Sequence, residues 1–282
     1  MGKYAIETRD LEYRYEDGTK ALDGVNFCAE AGKITGILGA NGAGKSTLFL
    51  NLNGVLTPAS GQVMLNGEAV CYNRQGIAKL RKEVGIVFQD PDNQLFSADV
   101  YRDISFGPVN LGLSTQEVRQ RVEWAMEQTG VTQLRDKPTH ALSYGQKKRV
   151  AIAGVLAMEP KVIILDEPTA GLDPQGVSSV MHLLSDIRDR MGISIVIATH
   201  DMDIVPLYCD YAYLLSEGRV QAQGTPGELF ARPEILRGNH LRLPRIAHLM
   251  EILREEDGLH TQAGIATIAQ ARKEIKNMLQ EH

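Results

Sequence analysis

Residues 39–47 read GANGAGKST. Glycines, a lysine and a hydroxyl at that spacing fit the pattern G-x-x-x-x-G-K-[ST], which cradles a nucleotide triphosphate. Triphosphate oxygens have to be met by several backbone N–H groups at once, and a Cβ at Gly42 or Gly44 would obstruct that approach. Lys45 is expected to bring its charge to the β- and γ-phosphates, and the Ser46 hydroxyl to ligate Mg²⁺. Gly39, Asn41 and Thr47 belong to the same loop and are read as nucleotide contacts. Further along, VIILDE (162–167) ends in two acids. Asp166 can hold the Mg²⁺ through Ser46 or water, and Glu167 stands one residue further toward the γ-phosphate. His200 follows the run ISIVIAT (193–199), and Gln89 follows VGIVF (84–88).

These residues need elements to position them. ITGIL (34–38) reads as a short buried strand, and STLFLNLNGVL (46–56) as a helix whose N-terminus faces the phosphates. The continuous apolar runs before Asp166 and His200 read as central parallel strands buried on both faces. Ligands of open α/β sheets gather at the carboxyl ends of strands, so Lys45, Gln89, Glu167 and His200 are expected to converge there. Taken singly, Asp166 reads equally well as a helix cap and His200 as a satisfied loop histidine. Four such residues at four strand ends argue for a site.

The run LSYGQKKRVAIAGVLAMEP (142–160) narrows the class. A phosphate loop followed by this segment and an acidic strand resembles the ATP-binding-cassette (ABC) family, whose signature reads LSGGQ. Leu142, Ser143, Gly145 and Gln146 match, whereas Tyr144 stands where the family has its first glycine. AGLD (170–173), ending in Asp173, is similar to the family's D-loop. His200 is similar to its switch histidine and Gln89 to its Q-loop glutamine, a Mg²⁺ ligand as well. Tyr15 matches the aromatic that stacks on adenine, in preference to Tyr13. The resemblance covers residues 4 to about 230. It implies an α/β fold, a P-loop NTPase of ABC-cassette type, with a mixed sheet core, an antiparallel β layer and an inserted α-helical subdomain. It also implies ATP hydrolysis, with Glu167 as general base assisted by His200 and Gln89. Two cassettes pack head to tail in that family, so Ser143, Gly145 and Gln146 would serve the ATP of a second copy or of a paralogous ATPase. Ser143 precedes a helix carrying Val150, Ile152, Ala153 and Leu156, and a helix N-terminus receives phosphate.

The remaining elements fit around that frame. AIETRDLEYRY, a turn at Glu16-Asp17-Gly18 and ALDGVNFCAE read as antiparallel strands that carry Tyr15. Another strand pair is expected around Gly61 and Gly67. EVRQRVEWAMEQTG (117–130) reads as a helix with Val118, Val122, Ala125 and Met126 on one face and Gly130 as C-cap. The helical subdomain is placed at about 90–158, with Trp124 in its core. Residues 1–230 form the ATPase domain in this reading, and 231–282 a helical C-terminal extension. In the extension, Pro244 opens a helix bearing Ile246, Leu249, Met250 and Leu253, closed by Gly258. A second helix runs over 265–280 with Ile268, Ala271, Ile275, Met278 and Leu279. Both either pack back on the cassette or form a dimerisation element.

Composition sets limits. A net charge of −5 argues against a nucleic-acid binder. Cys28, Cys71 and Cys209 are scattered, so neither a disulfide framework nor a cysteine zinc site is indicated. No apolar run approaches the roughly 18–20 residues that span a bilayer. A membrane part, in a transporter, would be another polypeptide. VFQDPDNQLFSADVYRDISFG (87–107), with the signature segment, resembles the ATPases of energy-coupling-factor importers, closest to the cobalt-type subunit of cobalt/nickel systems. That resemblance implies a transmembrane coupling protein and a membrane substrate-binding component as partners, at the cytoplasmic face of the cell membrane. Cobalt is the expected cargo, with nickel or a vitamin as the alternatives. Asp90, Asp92, Asp99 and Asp103 crowd the docking stretch and are expected to receive arginines of the coupling protein, against the plainer reading of a solvated acidic face. A soluble cassette protein acting on nucleic acid is the competing class. No heptad run between Lys45 and Ser143 and no second cassette support it.

Overall fold

Alternating apolar and polar residues open the chain and build an antiparallel layer. In the computed structural model, which describes residues 3–280, β1 (Tyr4–Arg14) pairs with β2 (Lys20–Glu30). Between them Gly18 takes a φ of 87°, and Asp17 Oδ1 accepts from the Thr19 backbone N–H at 2.9 Å. The turn forms where Asp and Gly place it. β3 (Ile34–Leu38) leads through the phosphate loop into α1 (Lys45–Leu52). This helix is shorter than the apolar pattern suggests. Gly54 takes a φ of 72°, and the Val55 and Leu56 N–H groups both turn back to the Leu50 carbonyl. β4 (Ser60–Leu65) and β5 (Glu68–Ala69) are joined by Asn66-Gly67, both at positive φ (52° and 85°). That is the backbone a two-residue type I′ hairpin requires. β4 lies on the other edge of β1.

After α2 (Arg74–Glu83) and β6 (Val84–Val87) come α3 (Val100–Asn110), α4 (Thr115–Thr129) and α5 (Tyr144–Leu156). β7 (Val162–Asp166), α6 (Pro174–Met191), β8 (Ser194–Thr199), α7 (Val205–Tyr208), β9 (Tyr211–Ser216) and β10 (Arg219–Gly224) follow. Six strands form the second sheet in the order β10-β9-β3-β8-β7-β6. All neighbours run parallel except the β9–β10 hairpin. Along β7, Ile163 and Leu165 face one hydrophobic core while Val162 and Ile164 face another. β8 repeats the pattern with Ile195 and Ile197 against Val196 and Ala198. Strands covered on both faces need no polar positions, which explains their unbroken apolar runs. Each such side chain contributes about 1.5–3 kcal/mol of burial. The sheet thus divides a core shared by α1, α2 and the antiparallel layer from a larger one beneath α3–α7 and residues 229–247.

The inserted helices are set by their caps. α4 starts two residues before the expected position because Ser114 and Glu117 form a reciprocal capping box, and it ends at Gly130 with a φ of 68°. Trp124 packs half-buried against the larger core.

At the carboxyl end the chain forms α8 (Pro226–Phe230), α9 (Pro233–Gly238), α10 (Arg245–Glu255) and α11 (Ile268–Gln280). Pro244 is the residue before α10 rather than its first residue, because its ψ of 144° is extended. Phe230, Leu236, Leu243 and Ala247 join the larger core, so α10 lies back on the body of the molecule. Arg237 spans both oxygens of the buried Glu251, at 2.8 and 2.6 Å, and ties α9 to α10. α11 packs on α10 through Met250, Ile265 and Ala271, and leaves Ile268 and Leu279 exposed. Among the described residues no helix is long and apolar enough to cross a membrane.

α5 reaches the sheet at Gly85 of β6, where an added Cβ would fall inside van der Waals contact with Val155 Cγ1. Gly85→Ala is therefore expected to cost about 1–3 kcal/mol by overpacking, read as a lower Tm. Gly85→Ala combined with Val155→Ala should be more stable than the sum of the single losses predicts. An unchanged Tm for Gly85→Ala would show that α5 moves away freely.

Candidate active site at the carboxyl ends of the parallel strands

The loop between β3 and α1 forms one wall of a cavity of about 450 Å³. Asn41, Gly42, Gly44, Lys45, Ser46 and Thr47 line it. Tyr15 faces them from just beyond β1, its hydroxyl 2.8 Å from Thr47 Oγ1. Tyr13 instead packs on the core beneath the antiparallel layer.

The loop glycines are required for different reasons. Gly42 has a φ of 80°, and a Cβ there would meet no protein atom. Gly44 has a φ of 103°, and its Cβ would lie 2.7 Å from the Ala21 carbonyl oxygen. A neighbouring strand by itself therefore excludes a side chain at Gly44. Gly39 lies outside the cavity and allows the Leu215 carbonyl of β9 to pass close. The β9–β10 turn also braces the loop. Gly218 donates its N–H to the Ala43 carbonyl at 3.1 Å and accepts from the Asp23 N–H at 2.8 Å.

Lys45 is only 8% exposed, and its ammonium donates to the carbonyls of Gly39 (2.7 Å) and Ala40 (3.0 Å). Burial lowers its pKa, and the carboxylates of Glu167 and Asp166 act in the opposite direction. Ser46 Oγ donates to Asp166 Oδ2 at 2.8 Å, and Gln89 lines the same cavity. A hydroxyl, a carboxylate and an amide are hard oxygen donors that suit Mg²⁺. Glu167 is buried with a φ of 45°, a left-handed conformation that glutamate seldom adopts. Its N–H donates to the Ala198 carbonyl of β8 at 3.0 Å, and its carbonyl accepts from Ala170 N–H at 3.1 Å. Its Oε1 lies 2.8 Å from His200 Nδ1. Lys45, Gln89 and Glu167 thus share one cavity, and His200 joins them through Glu167.

Ser143, Gly145, Gln146 and Asp173 line no part of that cavity. Ser143 Oγ accepts from the Gln146 N–H at 3.4 Å, while Gln146 Oε1 accepts from the Ser143 N–H at 3.0 Å. This capping box is legible as S-x-x-Q. Asp173 Oδ1 caps α6 by accepting from Gly176 N–H at 2.6 Å. Lys20, Glu217 and Gly218 also line the cavity and carry no local sequence signal. Lys148 is a further residue missed by the pattern. It is 1% exposed, and its ammonium donates to the Gln89 carbonyl and, at 3.4 Å, to the Glu167 carbonyl.

Each of the four acids after Gln89 has a partner within the chain. Asp90 Oδ1 accepts from Asp92 N–H at 3.0 Å, and Asp92 pairs with Lys147. Asp99 caps α3 through the Arg102 N–H at 2.8 Å. Asp103 is buried and accepts from the N–H groups of Phe96 (3.0 Å) and Ser97 (2.8 Å). Buried Asp103 thus serves its own loop rather than a docking partner, while Asp90 and Asp92 stay exposed beside it. Beside them Phe96 and Phe106 stand 65% and 51% exposed, with rings edge to face 4.7 Å apart.

Residues 22–170 match the ABC transporter family. The chain is 58% identical over 277 residues to the energy-coupling factor transporter ATP-binding protein EcfA3 of Clostridium perfringens, covering 98% of this chain and 97% of that one. It is 53% identical over 274 residues to EcfA of Methanococcus maripaludis, covering 97% and 98%. Among solved structures it is similar to CbiO1 of Clostridium perfringens, described as part of the ABC transporter complex cbiONQ. That match has a TM-score of 0.77 at 60% identity, over 89% of this chain and all of that one. It is also similar to the cassette MJ0796 in a dimeric post-hydrolysis state bound to ADP and Pi. There the TM-score is 0.70 at 25% identity, over 78% and 98%.

The glycine geometry makes a graded prediction. Gly42→Ala should cost about 1–2 kcal/mol, through φ alone. Gly44→Ala adds the collision with Ala21; it should lower Tm further and weaken ATP binding by at least about tenfold, or about 1.4 kcal/mol. Equal Tm for the two variants would remove the steric argument.

Proposed function

The chain belongs to the ABC transporter family, among the ATP-binding proteins of energy-coupling factor transporters, and from that premise we propose that it powers an importer of cobalt ions. Its reaction is ATP hydrolysis. The observation that carries the catalytic reading is the meeting of Lys45, Ser46, Asp166, Glu167 and His200 at one sheet edge. In this reading Asn41–Thr47 hold the phosphates, Gly39 serves the packing of the loop on β9, and Tyr15 stacks on adenine. Ser46, Asp166 and Gln89 hold Mg²⁺, which when bound would offset charge on the β- and γ-phosphate oxygens. Glu167 takes the proton of the attacking water, and His200, 2.8 Å away, orients the Glu167 carboxyl group. Gln89 meets the γ-phosphate end.

A second copy, or a paralogous ATPase, packs head to tail in this reading. Ser143, Gly145, Gln146 and Asp173 then act on the partner's nucleotide. Their position outside the cavity of their own chain supports this, as does the dimeric state of MJ0796. Phe96 and Phe106, with Val109 one turn beyond Phe106 on α3, offer an apolar surface on the segment that follows Gln89 in the chain. We assign that surface to the transmembrane coupling protein, which would hold this chain at the cytoplasmic face of the membrane beside a substrate-binding component. The assignment of cobalt rests on the likeness of residues 87–107 and 142–158 to cobalt-type subunits.

Glu167→Gln should still bind ATP, lose roughly 10²–10⁴-fold in turnover and accumulate as an ATP-bound dimer in gel filtration. Near-normal turnover would transfer the role of base to His200.

Replacing Phe96 and Phe106 by Ser should leave ATP binding intact and abolish both co-purification with the membrane partners and cobalt uptake into vesicles. Normal assembly would move the docking surface elsewhere. Vesicles that accumulate nickel or a vitamin instead of cobalt would change the cargo and leave the ATPase reading standing.

A further inference from the structure

Lys148 lies on α5, outside every motif that holds the nucleotide, yet it is the most enclosed cation near the site. Its ammonium bonds two backbone carbonyls from different parts of the sheet edge: Gln89, after β6, and Glu167, after β7. One turn earlier on α5, the Tyr144 hydroxyl donates to the same Gln89 carbonyl at 3.2 Å. The Lys148 ammonium stands 5.8 Å from the centroid of the Tyr144 ring, within range of a cation–π attraction. That ring also rests on Gly171, where a Cβ would approach it to 2.9 Å. The first turn of α5 therefore touches the loop after β6, the loop after β7 and the D-loop together.

Burial pushes the Lys148 pKa down to about 8, while Asp166, Asp90 and Glu167 draw it back up. An apolar side chain of similar volume would fill the position without that desolvation cost. The lysine supplies what an apolar residue cannot, which is N–H donors aimed at two carbonyls. One of those carbonyls belongs to Glu167, whose left-handed backbone must be held by its surroundings.

We propose that Lys148 is a positioning residue that, with Tyr144, clamps the main chain of Gln89 to that of Glu167. The side chain at the γ-phosphate end and the one facing the attacking water then keep a single register. The inference rests on the reading of Glu167 as general base, and adds a residue that acts through it.

The test compares ATP hydrolysis by the full-length chain carrying Lys148→Met, Lys148→Gln or Tyr144→Phe. Lys148→Met keeps the apolar stem and removes the donors. Its kcat should fall about tenfold, the rate equivalent of one lost contact. Its KM for ATP should stay within about twofold, since the phosphate loop is untouched, and its Tm should not fall. Lys148→Gln restores an N–H donor and should recover most of the lost kcat, and Tyr144→Phe should lose a smaller part. A Lys148→Met variant with full kcat, a loss that Gln does not repair, or a KM that rises in step would each overturn the proposal. If Lys148→Met does not fold, the kcat of Lys148→Gln relative to Tyr144→Phe decides. Glu167→Gln in the same assay separates the two readings. If it hydrolyses normally, the base assignment fails; if it is inactive while Lys148→Met is fully active, only the clamp fails.

Discussion

A lysine ammonium buried at the edge of a parallel sheet sets the terms for what surrounds it. Lys45 is almost wholly removed from water, so its charge has to be met by protein groups. Two are the Gly39 and Ala40 carbonyls of its own loop, which takes positive φ at Gly42 and Gly44. The others are the carboxylates of Asp166 and Glu167, delivered by β7. β8 lies between the lysine's strand and the acids' strand, and His200 leaves from its end. β3, β8 and β7 end level with one another, which brings the lysine, the histidine and the acids to one edge. The β9–β10 turn and Ala21 then press on the loop from outside and keep its curvature.

What the sequence made legible is what depends on near neighbours. The strands before Asp166 and His200 are buried on both faces, and their unbroken apolar runs say so. The phosphate loop is a continuous motif, and Asn66-Gly67 and Gly130 sit where positive φ is needed. The convergence of Lys45, Gln89, Glu167 and His200 followed from a rule about parallel sheets. What stayed hidden depends on chain segments far apart. Gly44 gives way to the backbone at Ala21, and no local pattern marks that contact. Lys148 sits in the polar opening stretch of α5, where nothing local marks it as buried, yet its head meets a carbonyl 59 positions earlier. The separate roles of the acids after Gln89 were hidden for a related reason: a carboxylate that caps a turn and one open to a partner look alike in sequence. Only the backbone N–H groups around Asp99 and Asp103 tell them apart.

α5 is the element that touches these regions together. Its opening turns carry the signature residues and touch Gln89 and Glu167, while Val155 near its end seats against Gly85 of β6. Along its length it also packs on α3 and α4 of the helical insertion, where Phe106 is exposed.

The capping box at Ser143 has a consequence for how a phosphate could be received. A serine hydroxyl has two lone pairs and one proton. Here one lone pair is occupied by the Gln146 N–H, which anchors the oxygen, and among the described residues no acceptor takes the proton. The oxygen is fixed while the O–H remains a rotor. An incoming anion therefore finds a donor whose origin is already set and whose direction alone is left to choose, so its arrival breaks no existing bond at the helix end.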